Sequence, residues 1–348
     1  MAYIVREKSP KGRYHRFDEK IGSGAYKEVY KAYDIDLGIY VAWNIIHFSK
    51  LNDTQKKLTR DELKILISLK QRHPNILNVR SSWYNKEKNS LIFITDLYLS
   101  GDLRSFVNNV KTVKVKVIKK WCQHILHGVK FLHDNNIIHR DLKCSNLYVN
   151  GTDGNIVIGD FGIARITSTN GMATTVVGTP EFMAPEIYNS NYTIKSDIYA
   201  FGMCLLEIST NMLPYNECDN VAQIWKRVHD KKKPESFESV SVSCIRELIN
   251  RCINSNPDKR PTVDEILEDS FFEKTEFDDI VIDFHNKSDT KSDTKSVEEE
   301  IQETLELESH LEELVDEDEV VSTSSSNSSL SSKDLNYESE QPKDTKIV

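Results

Sequence analysis

The chain has no run of 18 consecutive apolar residues, so no segment is expected to span a membrane. Its opening stretch, MAYIVREKSPKGRYHRF, lacks the apolar core of a secretory leader. The six cysteines, Cys122, Cys144, Cys204, Cys218, Cys244 and Cys252, never fall at C-x-x-C spacing. That argues against a zinc or disulfide framework and suits reduced thiols in a cytoplasmic protein. A basic surplus is missing as well. Residues 285–348 hold 18 acidic and 6 basic residues, a net −12; the whole chain is −9, so residues 1–284 carry about +3. The acidity belongs to the tail, and the near-neutral remainder offers no electrostatic footing for nucleic acid.

Residues 1–14 are polar and read as a flexible arm. Alternating patterns at 17–22, 28–34 and 40–47 predict strands. A helix follows over 54–70, with Thr54 as N-cap and Leu63, Leu66, Ile67 and Leu69 as its apolar stripe. Two further strands end in 91–97, and 98–102 make a short connector. Beyond it the pattern is helical, at 102–109, 115–134, 197–209, 219–228, 241–253 and 263–268. A strand-rich part, a connector and a helical part predict a bilobal α+β enzyme.

The end of the chain reads differently. Residues 286–296 repeat KSDT and residues 322–332 are serine-rich, compositions that hold too little apolar surface to order a chain. Between them, 296–315 has helical spacing of Val297, Ile301, Leu305, Leu311 and Leu314 behind a capping pattern of Ser296 and Glu299. Two readings stand for it: a partner-binding amphipathic helix, or a partly helical acidic tail. The domain division expected is therefore a flexible arm (1–14), a catalytic domain (15–273) and an acidic low-complexity tail (274–348).

The chemistry is concentrated in four places. Gly22-x-Gly24 followed by Val29 reads as two strands joined by a glycine turn that can close over phosphates. Downstream come His139-Arg140-Asp141-Leu142-Lys143-Cys144-Ser145-Asn146, then Asp160-Phe161-Gly162, then Ala184-Pro185-Glu186. In this order and spacing they resemble the signature set of protein kinases. The resemblance implies the bilobal protein kinase fold, with a strand-rich N-lobe and a helical C-lobe, and ATP with Mg²⁺ as cofactors. It implies that Asp141 accepts the substrate hydroxyl's proton, Lys143 meets the γ-phosphate, and Asn146 and Asp160 hold the metal. Ile21, Gly22, Ser23 and Gly24 would cover the nucleotide. Val29, Ala42 and Leu147 would sandwich adenine, Thr95 would gate the pocket behind it, and Asp96, Leu97 and Tyr98 would offer backbone groups. Glu62, on the first helix, would pair with the ATP lysine; a solvated Glu beside Asp61 is the competing reading. Arg140 would pair with a phosphorylated activation segment. Glu186 with Arg260 and Asp197 with the catalytic loop are expected structural partners, and Thr179 is expected to bridge Asp141 and Lys143, which favours Ser/Thr substrates.

Two positions break the kinase pattern. Lys27 stands where the third glycine of G-x-G-x-x-G belongs, and Asn44 stands where V-A-x-K ends in the ATP lysine. Residues two apart on a strand share a face. Lys27 shares a face with Val29, and Asn44 with Ala42, so both are expected to point into the cleft. Lys31 has the same parity but lies beyond the adenine position.

With G-A-Y-K-E-V-Y, V-A-W-N, T-P-E-F-M-A-P-E-I-Y (179–188), 197–207 and 214–228, the chain resembles the WNK (with-no-lysine) family of Ser/Thr kinases. The resemblance covers 15–273. It implies that Lys27 is the relocated ATP lysine, that Thr175 is the activating phosphosite with Thr174 as runner-up, and that the substrate is a protein, with Ste20-related kinases as the family's usual target in ion and osmotic signalling. There are departures. Asn44 replaces the family's cysteine, Phe161 replaces its leucine in D-L-G, which disfavours chloride sensing, and the tail has no R-F-x-V docking sequence. The alternatives are a pseudokinase scaffold, prompted by Asn44, and an ATP-binding regulatory module that serves the tail.

Overall fold

Short alternating segments near the start of the chain pair almost entirely with their neighbours in sequence. In a computed structural model, the strands β1 (Val5–Lys8), β2 (Tyr14–Ser23), β3 (Lys27–Asp34), β4 (Ile39–His47), β5 (Val79–Asn85) and β6 (Ser90–Asp96) form one sheet in the order β1-β2-β3-β4-β6-β5. Each adjacent pair runs antiparallel. The structure describes residues 4–24, 26–68, 72–151, 153–159, 179–189 and 191–284, with the backbone alone for residues 54, 58, 61, 62, 65, 66, 68 and 189.

Strand β4 is the middle of this lobe. Val41, Trp43 and Ile45 turn to one face and pack with Tyr14, Ala32, Ile92 and Ile94. Ala42 and Asn44 take the other face, as the period of two demands. Helix α1 (Asp53–Ser68) joins the lobe through Leu63, which clusters with Phe48, Leu51 and Leu91, and with Ile46, Val79 and Phe93 at the edge. Thr54 lies inside this helix, so it is not the cap. Asn52 takes that role: its side chain accepts from the Gln55 amide at 2.8 Å, while Gln55 Oε1 accepts from the Asn52 amide at 3.0 Å. This reciprocal pair satisfies two amide donors at the start of the helix.

Past the connector lie α2 (Leu103–Asn109), β7 (Thr112–Lys114), α3 (Val115–Asp134), the hairpin β8 (Leu147–Val149) and β9 (Ile156–Ile158), then α4 (Ile194–Thr210), α5 (Val221–His229), α6 (Ser243–Cys252) and α7 (Val263–Leu267). These match the expected helices to within a few residues. Helix α4 is buried from Ser196 to Thr210 and forms the spine of this lobe. A capping box between Thr193 and Ser196 starts it, worth about 1 kcal/mol.

Two expected boundaries move. The arm at 1–14 contains β1, which pairs with β2. Its polar side chains have partners: across to β2, Arg6 meets Asp18 at 2.7 Å and Glu7 meets Arg16 at 3.4 Å, and Glu7 also meets Lys88, in the turn between β5 and β6, at 2.8 Å. At the other end, the expected tail begins too early. Strand β10 (Val281–Asp283) pairs with β7, and Asp278 accepts from the buried Lys119 at 2.6 Å. The folded part therefore reaches Phe284. The expected helix at 296–315 and the serine-rich stretch lie outside the described residues.

Candidate active site

The catalytic loop links α3 to the β8–β9 hairpin. Asp141, Lys143 and Thr179 meet at its centre. Thr179 Oγ1 donates to Asp141 Oδ1 at 3.0 Å, Lys143 Nζ donates to Thr179 Oγ1, and Lys143 Nζ lies 3.4 Å from Asp141 Oδ2. Asn146 Nδ2 donates to the Asp141 carbonyl at 2.7 Å and to Asp141 Oδ2 at 2.9 Å. With the amide nitrogen committed to Asp141, the Asn146 carbonyl oxygen is the atom that can face a hard cation. The bridge expected of Thr179 is in place.

Asp197, buried on α4, holds the loop from beneath. It accepts from the backbone amides of His139 at 2.9 Å and Arg140 at 3.0 Å, and it sits 2.9 Å from His133 Nε2. Burial pushes its carboxyl up, but the His133 hydrogen bond, the charges of His133 and His139 and the His139 amide outweigh this and leave the pKa below its ordinary value. The amide it anchors on Arg140 belongs to a residue with φ of 70°, a left-handed conformation that costs a non-glycine residue about 1–2 kcal/mol. His139 is fully buried and lies 3.4 Å from the Gly159 carbonyl, a packing position. The Arg140 guanidinium lies 4.8 Å from the Tyr192 ring centre, a contact that no motif announces.

Glu186 and Arg260 form the expected buried pair. Two guanidinium nitrogens meet the two carboxylate oxygens at 2.6 and 2.7 Å, and Arg260 is 1% exposed. Ser196 Oγ and the Lys195 carbonyl complete the shell around them.

The side of the cleft expected to take the nucleotide is built by β2, β3, β4 and β6. Gly22 pairs with Val29 and Ser23 with Glu28, and the Gly24 amide closes the turn on the Lys27 carbonyl at 2.7 Å. A Cβ at Gly22 or Gly24 would meet only ordinary contacts, at 3.5 and 3.8 Å. Among the described residues, nothing crowds a Cβ at either glycine. Ile21 is exposed above it, Val29 is half-buried, and Ala42 and Leu147 are buried. Thr95, Asp96, Leu97 and Tyr98 lead from β6 into the connector. Thr95 is buried, Asp96 accepts from Arg80, and Tyr98 stacks on Tyr148 with ring centres 5.9 Å apart. Burial pushes the Tyr98 hydroxyl pKa up. The connector is fixed to the hairpin by the Val149 amide, which donates to the Gly101 carbonyl at 3.0 Å.

In the sheet register, Val29 pairs with Asn44, Lys27 with Ile46, and Asn44 with Phe93. Lys27, Val29, Asn44 and Phe93 therefore share a face. Lys27 Nζ lies 5.9 Å from the Phe93 ring centre. Asn44 is 4% exposed, and its amide donates to Thr95 Oγ1 at 3.2 Å and, more weakly, to the carbonyls of Ala42 and Phe93 at 3.4 Å. The position without a lysine is thus filled by a neutral side chain bonded to the residue expected to gate the pocket. Lys31 turns away from the phosphate side, 3.3 Å from Glu19 and 4.6 Å from the Tyr40 ring centre.

Beside Lys27 is a cluster the motifs did not signal. The Glu28 carboxylate accepts from Lys20 at 2.8 Å and Tyr30 at 3.2 Å, and lies 3.1 Å from His47 Nε2. The Lys20 hydrogen bond leads in holding its pKa down to about 2, against burial, with His47 and Tyr30 adding to it. Asp160, Thr174, Thr175 and the Glu62 side chain lie outside the described residues.

Two lobes and this set of groups define a protein kinase catalytic domain. Residues 15–272 match the protein kinase domain family, and the chain belongs to it. It is similar to kinases named for the missing lysine: 40% identical over 289 residues to the serine/threonine-protein kinase WNK of Caenorhabditis elegans, 41% over 268 residues to WNK3 of Mus musculus, and 43% over 269 residues to WNK8 of Arabidopsis thaliana. These matches cover 81%, 76% and 76% of this chain, but only 16%, 15% and 47% of the relatives. The likeness is one of catalytic domains.

Proposed function

We propose that this chain is an active serine/threonine protein kinase of the with-no-lysine type, transferring the γ-phosphate of ATP to a protein hydroxyl. The observation that carries this reading is the joint contact of Asp141, Lys143 and Thr179. Asp141 orients the hydroxyl and takes its proton, Lys143 neutralises charge that develops on the phosphoryl oxygens, and Thr179 holds the two in register. Asn146 fits Mg²⁺ through its side-chain carbonyl, with Asp160 as the second ligand by motif. Mg²⁺ supplies charge neutralisation at the phosphates when bound.

Lys27 replaces the missing strand lysine. Its support is the shared face with Asn44 and its approach to Phe93, together with the diversion of Lys31 to Glu19. Glu62 is its proposed partner. Thr175, with Thr174 second, is the proposed phosphosite that orders the activation segment through Arg140. The names of the relatives support a Ser/Thr substrate. A Ste20-related kinase as target and a role in ion signalling are proposed by family likeness, a cytoplasmic setting from the cysteine pattern, and a protein partner for the tail from the helical spacing at 296–315. Among the described residues, no helix is long and apolar enough to cross a membrane.

Labelled ATP with serine, threonine and tyrosine peptides tests the reaction. Transfer to serine or threonine that is abolished in Asp141→Ala supports it; no transfer by the wild type from either phosphorylated or dephosphorylated stock overturns it. A Thr174→Ala, Thr175→Ala variant that keeps full activity after phosphatase treatment would remove the phosphosite from the account.

A further inference from the structure

A recess of about 170 Å³ lies in the helical lobe, between the loop that follows α5 and the C-terminal end of α6. None of the residues that line it belongs to the Asp141–Lys143–Thr179 cluster. Among the described residues its wall carries Lys231, Lys232 and Lys233 and no carboxylate. Asn250, Asn254 and Ser255 add two amides and a hydroxyl, all able to donate. Three consecutive exposed lysines border one recess, and like charges gathered there favour an anion between them.

The recess is built rather than incidental. Lys231 and Tyr215, both in its wall, hold φ of 58°, a region that bulky residues rarely occupy and that tends to mark functional positions. The Tyr215 hydroxyl donates to the Lys232 carbonyl at 3.0 Å and so fixes the loop that carries the lysines. Lys233 Nζ donates to Asn250 and lies 4.1 Å from the Phe237 ring centre. Burial lowers the Lys233 pKa. Lys231 and Lys232 are exposed and form no ion pair with any described residue.

The same wall touches the Glu186–Arg260 pair. Pro185 precedes Glu186 in the chain; the Tyr199 ring centre lies 5.0 Å from the Arg260 guanidinium carbon; and the Asn254 carbonyl accepts from Arg260 Nε at 2.7 Å. All three of these residues line the recess.

We propose that this recess is a phosphate-binding site whose occupant braces the buried Glu186–Arg260 pair. A phosphate group suits it because a dianion with several acceptor oxygens can meet several ammonium groups at once. Free phosphate and a phosphoserine side chain share that chemistry. The site does not depend on the kinase reading, since it involves neither the nucleotide cleft nor Asp141.

The test uses the full chain with its nucleotide cleft filled by Mg-ADP, at fixed ionic strength. Calorimetry is run with inorganic phosphate, a phosphoserine peptide and the same peptide unphosphorylated. The wild type should bind phosphate or the phosphopeptide saturably, and the unphosphorylated peptide not at all. If phosphate alone binds, the occupant is the free ion; if the phosphopeptide binds tighter, it is a phosphoprotein. A Lys231→Asn, Lys232→Gln variant should weaken binding by about tenfold or more. Asparagine is chosen at 231 because it tolerates positive φ. Phosphate should raise the wild-type Tm and leave the variant's unchanged. Lys232→Gln alone reads the same loss if the double variant does not fold. No saturable binding up to about 10 mM, a limit weaker than a millimolar site, overturns the proposal. So does equal binding by wild type and variant, or saturable binding of the unphosphorylated peptide as tight as that of the phosphopeptide.

Discussion

The Lys27 ammonium lies 5.9 Å from the ring centre of Phe93, and Phe93 is the strand partner of Asn44. The cation of the glycine turn thus stands over the residue beside the position that has lost one. Removing it by Lys27→Met should lower kcat/KM by about a hundredfold or more, the scale of one charge-stabilising donor lost from a transition state. Lys31→Met should stay within about fivefold of wild type, the weight of a partly exposed ion pair. Steady-state kinetics on the two variants checks both.

Thr179 should matter through its hydroxyl. Thr179→Val keeps the shape but removes the oxygen that joins Asp141 to Lys143, and should cut kcat by about ten- to a hundredfold, equivalent to one charge-assisted hydrogen bond. KM for ATP should change little, and Thr179→Ser should restore most of the rate. A change confined to KM would assign Thr179 to nucleotide binding instead.

Arg260→Met leaves the Glu186 carboxylate buried and unpaired. The expected cost is about 3–5 kcal/mol, seen as a fall in Tm of about 10 °C. Arg260→Lys should recover only part of it, because one ammonium cannot reproduce a two-toothed contact.

The Glu28 cluster predicts an acid-dependent loss of stability. Its folded pKa, about 2, lies below the ordinary 4.5, so its contribution is fully present above pH 4.5 and is lost as pH falls toward 2. Glu28→Gln should be less stable than wild type at pH 7, and the difference should shrink between pH 4.5 and 2. Urea midpoints across that range measure it. Asp197, whose carboxyl is likewise held below its ordinary value, contributes in the same direction.

Much of this fold is legible because the local signals agree with the global one. Strand β4 alternates buried Val41, Trp43 and Ile45 with cleft-facing Ala42 and Asn44, and the parity that placed Lys27 beside Asn44 follows from the same period. What escaped the sequence depends on partners far along the chain. The polar β1 looked like an arm because Glu7 meets Lys88, 81 residues away, only in the folded state. Asp278 looked like the start of an acidic tail because its partner, Lys119, lies 159 residues before it. Asp197 was expected beneath the catalytic loop by family likeness, while the two loop amides it holds had no signature of their own. The Glu28 cluster and the Arg140–Tyr192 contact had none at all.

The most direct measurement is phosphate transfer from labelled ATP by the wild type, Lys27→Met, Lys31→Met and Asp141→Ala, each verified as folded. The account predicts transfer by the wild type and Lys31→Met, and near-complete loss in Lys27→Met and Asp141→Ala. Full activity in Lys27→Met would contradict it, since some other group would then be neutralising the phosphates.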